Sequence, residues 1–159
     1  MRLEDLGLIG NCQFSALVER TGSVVWCCLP RFDAEPMFAA LLDEADGGRF
    51  SIAPAGGEAG RQSYLENTNV LSTVFKTDTG SFRVLDFAPR FVQVEGLFHP
   101  TQLHRIIEPL EGQPVVRVGL DARLGWSKAV APRVEGAKHL RLDGFASPVW
   151  LDTDLALAD

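Results

Sequence analysis

This sequence lacks the marks of several protein classes. No apolar run approaches the roughly 20 residues of a membrane span, and Met1-Arg2-Leu3-Glu4-Asp5 places acids where a secretory signal has a basic start and an apolar core. A cytoplasmic protein is expected. Cysteine is scarce: Cys12, Cys27 and Cys28 cannot build a disulfide framework, and adjacent Cys27 and Cys28 would point to opposite faces of a strand. Buried free thiols are therefore expected, rather than reactive or metal-binding ones. Basic charge is also short. The 15 Lys+Arg are scattered against 21 Asp+Glu, giving a formal net charge of -6, which opposes nucleic-acid binding. His99, His104 and His139 show no metal spacing with each other or with the cysteines, and no Ser-His-Asp order can be defended. Gly7, Gly10, Gly56, Gly57 and Gly60 form no phosphate loop, because no Lys-Ser/Thr follows and no strand-to-helix dinucleotide unit surrounds them. No repeat or low-complexity segment is present, and neither a cofactor nor a metal is expected.

What is there is a chain of 159 residues, 46% of them hydrophobic, long enough for one domain that buries about two thirds of its unfolded surface. The richest run is Asp5 to Leu42. Phe14, Ala16 and Val18 alternate with Ser15, Leu17 and Glu19, and after Arg20-Thr21-Gly22-Ser23 the chain resumes as Val24-Val25-Trp26-Cys27-Cys28-Leu29. This is a hairpin whose second strand is the more buried. Pro30 stops it, and Arg31-Phe32-Asp33 make an irregular corner. Pro36 suits the first turn of a helix, and Phe38, Leu41 and Leu42 at i, i+3, i+4 predict one short helix over residues 36–43 packed on the sandwich, ended by Asp46-Gly47-Gly48. Further strands are predicted at 49–52, 63–67, 70–77, 81–87, 102–108, 115–122, 138–142 and 149–153, with Asp78-Thr79-Gly80 closing the clearest hairpin. Ala55-Gly56-Gly57-Glu58-Ala59-Gly60 and 125–132 read as loops. Strands so spaced, without intervening helices, imply an all-β fold: a two-sheet antiparallel β-sandwich.

The ordered pieces Ile9-Gly10-Asn11, Ala16-Leu17-Val18, Gly22-Ser23-Val24-Val25-Trp26, Cys28-Leu29-Pro30-Arg31-Phe32-Asp33, Phe38-Ala39-Ala40-Leu41-Leu42-Asp43 and Gly47-Gly48-Arg49-Phe50-Ser51-Ile52-Ala53-Pro54 carry a resemblance. It continues more loosely through Tyr64-Leu65, Val70-Leu71 and Val84-Leu85-Asp86-Phe87-Ala88-Pro89. Together they resemble the N-terminal domain of bacterial family 15 glycoside hydrolases, the trehalase and glucoamylase group. The resemblance implies a supersandwich-like fold over 1–159, followed in the family by a larger helical barrel that is absent from this sequence. This chain is then either a dissected fragment or a natural stand-alone version. The parent would be an inverting α-glucosidase-type hydrolase. Three positions depart from the family pattern: Val25 and Thr21 stand where it has acids, and Ala34 where it has a helix-capping serine.

Inversion at a glycoside needs two carboxyl groups roughly 6.5–9.5 Å apart, one to protonate the leaving oxygen and one to activate water. In the resembled family both come from the barrel, so no catalytic residue is assigned here. Asp33 and Glu35 could be imagined as a substitute pair, but carboxylates also suit the start of a helix electrostatically. Arg31, Phe32 and Asp33 are candidates to touch a sugar or a partner domain by hydrogen bonds and stacking; the alternative is an Arg31–Asp33 contact that only fixes the corner. Trp26, on the strand leading into that corner, is a further candidate to approach a sugar or a partner domain, although between Val25 and Cys27 it reads more readily as core, while Trp126, in a Gly-containing loop, reads as exposed and available to a partner or ligand. Asp86 reads as a carboxylate held by backbone N–H groups or an arginine. Phe91, Phe98 and Trp126 are expected in an exposed apolar patch, through which the chain would meet the barrel or form a homo-oligomer. The competing expectation is a stand-alone module that binds α-glucoside sugar or oligomerises, and a third is a small enzyme using Cys27 or Cys28.

Overall fold

In the computed structural model the described residues are 2–57, 59–94 and 96–155; Glu58, expected in the 55–60 loop, lies outside them. The chain runs through β1 (Gly7–Gly10), β2 (Ser15–Val18), β3 (Ser23–Cys28), β4 (Pro36–Phe38) and β5 (Arg49–Pro54). It continues through β6 (Arg61–Tyr64), β7 (Leu71–Thr77), β8 (Gly80–Phe87), β9 (Phe91–Gln93), β10 (Gly96–Phe98), β11 (His104–Gly112) and β12 (Val116–Asp121). Last come β13 (Arg123–Leu124), β14 (Ala129–Val130), β15 (Arg133–Glu135), β16 (His139–Leu142) and β17 (Val149–Asp152). One sheet has the order β1-β2-β3-β5-β12 with β4 also on β3; a second has the order β11-β8-β7-β6. Smaller sheets are β9–β10, β13–β14 and β15–β16–β17, and the pairings are antiparallel. The protein is an all-β sandwich.

The two main sheets enclose Ile52 from β5 and Phe75, Phe82 and Val84 from β7 and β8, with the Phe75 and Phe82 rings stacked 4.9 Å apart. A larger cluster gathers Ile9, Phe14, Ala16, Val18, Val24 and Leu71 with Leu140 and Leu142 of β16. Burying a phenylalanine such as Phe14 or Phe75 contributes about 1.5–3 kcal/mol before entropy is counted. A polar tie joins the sheets. Arg105 of β11 sits opposite Asp86 of β8; its Nε donates to Asp86 Oδ1 at 2.7 Å, while Nη1 and Nη2 cross to the carbonyls of Phe50 and Gly22, each at 2.6 Å. Its guanidinium also lies 4.7 Å over the Phe50 ring. Arginine is thus the group that holds Asp86. Gly22, at φ +84°, lets the β2–β3 turn approach the Ile52 carbonyl and the Phe75 ring where a Cβ would overlap them.

The sheets correct several expectations. The helix over 36–43 does not form: Pro36–Phe38 is strand β4, whose three residues are all buried against β3. The N–H groups of Ala39, Ala40 and Leu41 are taken by the carbonyls of Gly47, Gly48 and Val25, so the helical ladder is lost to tertiary partners. Phe38 is buried as expected, but Leu42 is 66% exposed and does not pack on the sandwich. Pro36, with no N–H to give, fits an edge strand equally well. Segment 125–132 is a 3-10 turn, Gly125–Ser127, followed by β14 rather than one long loop. The strand expected at 63–67 is Arg61–Tyr64, and β1, β9, β10, β13 and β15 were not anticipated as strands.

Candidate functional site

β3 delivers Trp26, half-buried between fully buried Val25 and Cys27, and then the corner 29–35. There Arg31 grips Asp33 with two hydrogen bonds, Nε to Oδ1 at 2.9 Å and Nη2 to Oδ2 at 3.3 Å, in full view of solvent. The guanidinium holds the Asp33 carboxyl below its ordinary range, helped by a backbone N–H. Phe32 lies in the same corner and is 57% exposed. Glu35 closes the corner against Gly125, whose φ of +53° and lack of a Cβ make room for the carboxylate.

Gly125 begins the turn that carries Trp126. This turn is tied down: Ser127 Oγ donates to the Leu124 carbonyl at 2.6 Å, and Arg123 Nη1 donates to the Lys128 carbonyl at 3.2 Å. Lys128 pairs with Asp43 in the loop after β4, and that pairing, with the backbone N–H groups of Asp46 and Ala45, holds Asp43 below the usual carboxylate range. The outcome is an aromatic corner. Trp126, 60% exposed, lies with its ring 6.3 Å from that of Trp26 at a 48° tilt.

Of the anticipated site residues, Trp26 and Trp126 come together, Arg31 and Asp33 pair with each other, and Phe32 remains free in solvent. Trp26 is half-buried rather than core. The arrangement offers an aromatic surface flanked by fixed charges, suited to stacking and hydrogen bonding. Asp33 is poorly suited to act there as a general acid, which needs a raised pKa, because it is held low. Cys27, wholly enclosed, is pushed up to about 12 by burial and by Cys28; burial also raises Cys28. Thiolate chemistry is correspondingly disfavoured there. Among the described residues no group of three His, Cys, Asp or Glu side chains could hold a metal ion, and no helix is long and apolar enough to cross a membrane. A cleft of about 270 Å³, lined by Leu120, Ala122, Ala131, Arg133, Leu140 and Leu142 among others, contains none of the anticipated site residues.

Sequence reasoning missed the Lys128–Asp43 latch, the Glu35–Gly125 contact and the reach of Arg105. Only the last had a signal, since a strand pairing that sets 105 against 86 places an arginine across from a buried aspartate.

The trehalase-like N-terminal family matches residues 1–154. Trehalase 1 of Sulfolobus acidocaldarius is 46% identical over 88 residues, 55% of this chain and 15% of that protein. The trehalase of Mycolicibacterium smegmatis is 34% identical over 85 residues, 53% of this chain and 13% of its own length. That of Thermoplasma acidophilum is 31% identical over 127 residues, 77% of this chain and 21% of its own length. The chain thus matches between 13% and 21% of the length of these relatives. No solved structure matches it.

Proposed function

The chain belongs to the trehalase-like N-terminal family, and from that premise we propose that it is the non-catalytic N-terminal β-sandwich domain of a trehalase- or glucoamylase-like α-glucoside hydrolase. In this reading it packs against and supports a helical-barrel catalytic domain, which supplies both carboxyl groups of the inverting reaction. The observation that carries the reading is the small share of each trehalase that the chain matches, 13% to 21%, within a family defined by its N-terminal position. The depressed pKa of Asp33 supports it, since that carboxyl of the 31–35 corner is already committed to Arg31. In the same reading the protein is cytoplasmic. The test is hydrolysis of trehalose and maltose by the chain alone and after fusion to a barrel. Activity is expected only in the fusion, and robust turnover by the chain alone would overturn the proposal.

A second reading, a carbohydrate-binding module, is favoured by one observation: the exposed Trp126 ring beside Trp26, with Arg31, Asp33 and Lys128 on neighbouring loops. Calorimetric titration with glucose, trehalose and malto-oligosaccharides decides it. No detectable heat with any of them removes it.

A further inference from the structure

β9 and β10 pair with each other in a two-stranded sheet of their own, matching Phe91 with Phe98 and Val92 with Leu97. Every residue of the two strands is exposed, Phe91 by 47% and Phe98 by 40% with Val92 and Leu97 also in solvent, and so is Val94 just after β9. Because side chains alternate across a strand, the Phe91–Phe98 pair, rings 5.0 Å apart, occupies one face and Val92–Leu97 the other. An arm apolar on both faces suits a cleft better than a flat surface. Left in water, an isolated two-stranded ribbon is marginal.

Yet the base of this arm is fixed. Asn11, 1% exposed, donates from Nδ2 to the carbonyls of Pro89 at 3.2 Å and Pro100 at 2.7 Å, the residues that flank the arm on its two sides. Its Oδ1 accepts from the Gln13 N–H at 3.1 Å, and its own carbonyl accepts from Arg90 Nη1 at 3.0 Å. His99 Nδ1 lies 3.3 Å from Gln13 Oε1 on the far side. Only an amide can give two hydrogen bonds to two carbonyls while accepting a third from an N–H. This accounts for the asparagine of the Ile9-Gly10-Asn11 motif, which the aromatic corner leaves unexplained. The arm is aimed before anything meets it, which lowers the ordering cost of an encounter.

We infer that the β9–β10 arm is the surface by which this domain docks into a cleft of the larger remainder of its parent polypeptide, with Asn11 the positioning residue that aims it. The inference rests on the domain reading above. The occupant is argued from the same comparison: the trehalases extend far beyond the 13% to 21% of their length matched here, so a partner many times larger is covalently at hand.

The test uses the whole chain, alone and fused to the remainder of Sulfolobus acidocaldarius Trehalase 1 in place of that enzyme's matching segment. Thermal melting and amide exchange of residues 91–94 and 96–98 are the readouts. The arm amides should exchange fast in the chain alone and slowly in the fusion, which should melt as one cooperative unit. Replacing Phe91→Ser with Phe98→Ser should leave the melting of the chain alone unchanged while splitting the fusion's transition in two and restoring fast exchange. Asn11→Asp should weaken docking likewise, and Asn11→Gln, which keeps the amide, should recover part of it. If the fusion melts as one unit with a fast-exchanging arm, or the double variant leaves it intact, another surface docks and the inference fails while the domain reading stands. A wild-type fusion melting in two independent transitions sinks the domain reading and the inference with it. An arm protected in the chain alone, in proportion to concentration, assigns it to a second copy and overturns the inference.

Discussion

Replacing Arg105 with methionine should cost the sandwich several kcal/mol of stability, about 3–5. The side chains of Arg105 and Asp86 are 2% and 0% exposed. Removing the guanidinium leaves a carboxylate with no cation in the core, a loss of about 3–5 kcal/mol for buried pairs broken on one side. It also strips a donor from the Phe50 and Gly22 carbonyls, although the Gly22 carbonyl still accepts from the Ile52 N–H at 3.0 Å. The total is then about 4 kcal/mol out of a typical 5–15 kcal/mol for a domain, or a fall of about 8–16 °C in melting temperature. Combining Arg105→Met with Asp86→Leu removes the lone charge and should bring the cost below about 2 kcal/mol, most of it the donor lost to the Phe50 carbonyl. Equilibrium urea denaturation followed by tryptophan fluorescence measures both. A single variant costing under about 1 kcal/mol, or a double variant no better than the single, would refute the claim that this ion pair ties the two sheets.

Three further outcomes follow from the aromatic corner and the core. A water-soluble alkylating reagent at pH 8 should modify one thiol per native chain, the exposed Cys12, because Cys27 and Cys28 are buried with raised pKa values; two or more equivalents would contradict their burial. By carbon-detected titration the Asp33 carboxyl should titrate below the ordinary range, and Arg31→Ala should return it part of the way, the backbone N–H remaining. Since its folded pKa is depressed, whatever stability it lends is present above the unfolded pKa and lost as pH falls through the folded one; a native Asp33 titrating at or above the normal value denies the Arg31 pairing. Gly125→Ala puts a Cβ into the Glu35 carboxylate at a φ of +53°, and should cost about 1–2 kcal/mol while abolishing the near-ultraviolet dichroism of the Trp26–Trp126 pair; an unchanged spectrum would show that the turn does not set that pair.

The all-β architecture was legible because the strands that build the two main sheets alternate or run apolar between clear turn residues. The hairpin at Asp78-Thr79-Gly80 is seen in the Thr77–Gly80 pairing, with Thr77 Oγ1 donating to the Gly80 carbonyl at 2.9 Å. The helix at 36–43 failed for a reason no local pattern reveals. Phe38, Leu41 and Leu42 have helical spacing, but the backbone donors between them had better partners in Val25, Gly47 and Gly48. β9 and β10 escaped because apolar residues on both faces give no period of two, and β1 because four residues bounded by glycines carry too little pattern. At the site, exposure of Trp126, Phe91 and Phe98 could be anticipated from their place beside turn residues. The meeting of Trp126 with Trp26 could not, since it depends on Glu35 finding the missing Cβ of Gly125 across 90 positions of sequence.

The order of strands in the first sheet has a consequence for how the chain is made. β12 completes that sheet by pairing with β5, yet β6, β7, β8 and β11 of the second sheet all lie between them in the sequence. During synthesis the second sheet can assemble from neighbouring hairpins while β5 still waits with one edge open, and Arg105 can reach Phe50 and Gly22 before β12 has emerged. Sealing of the first sheet is thus the late, non-local step, and pulse-labelled amides at 71–87 should gain protection before those at 116–121. Until then β5 is an unpaired edge, the point at which a chaperone or a neighbouring nascent chain would first take hold.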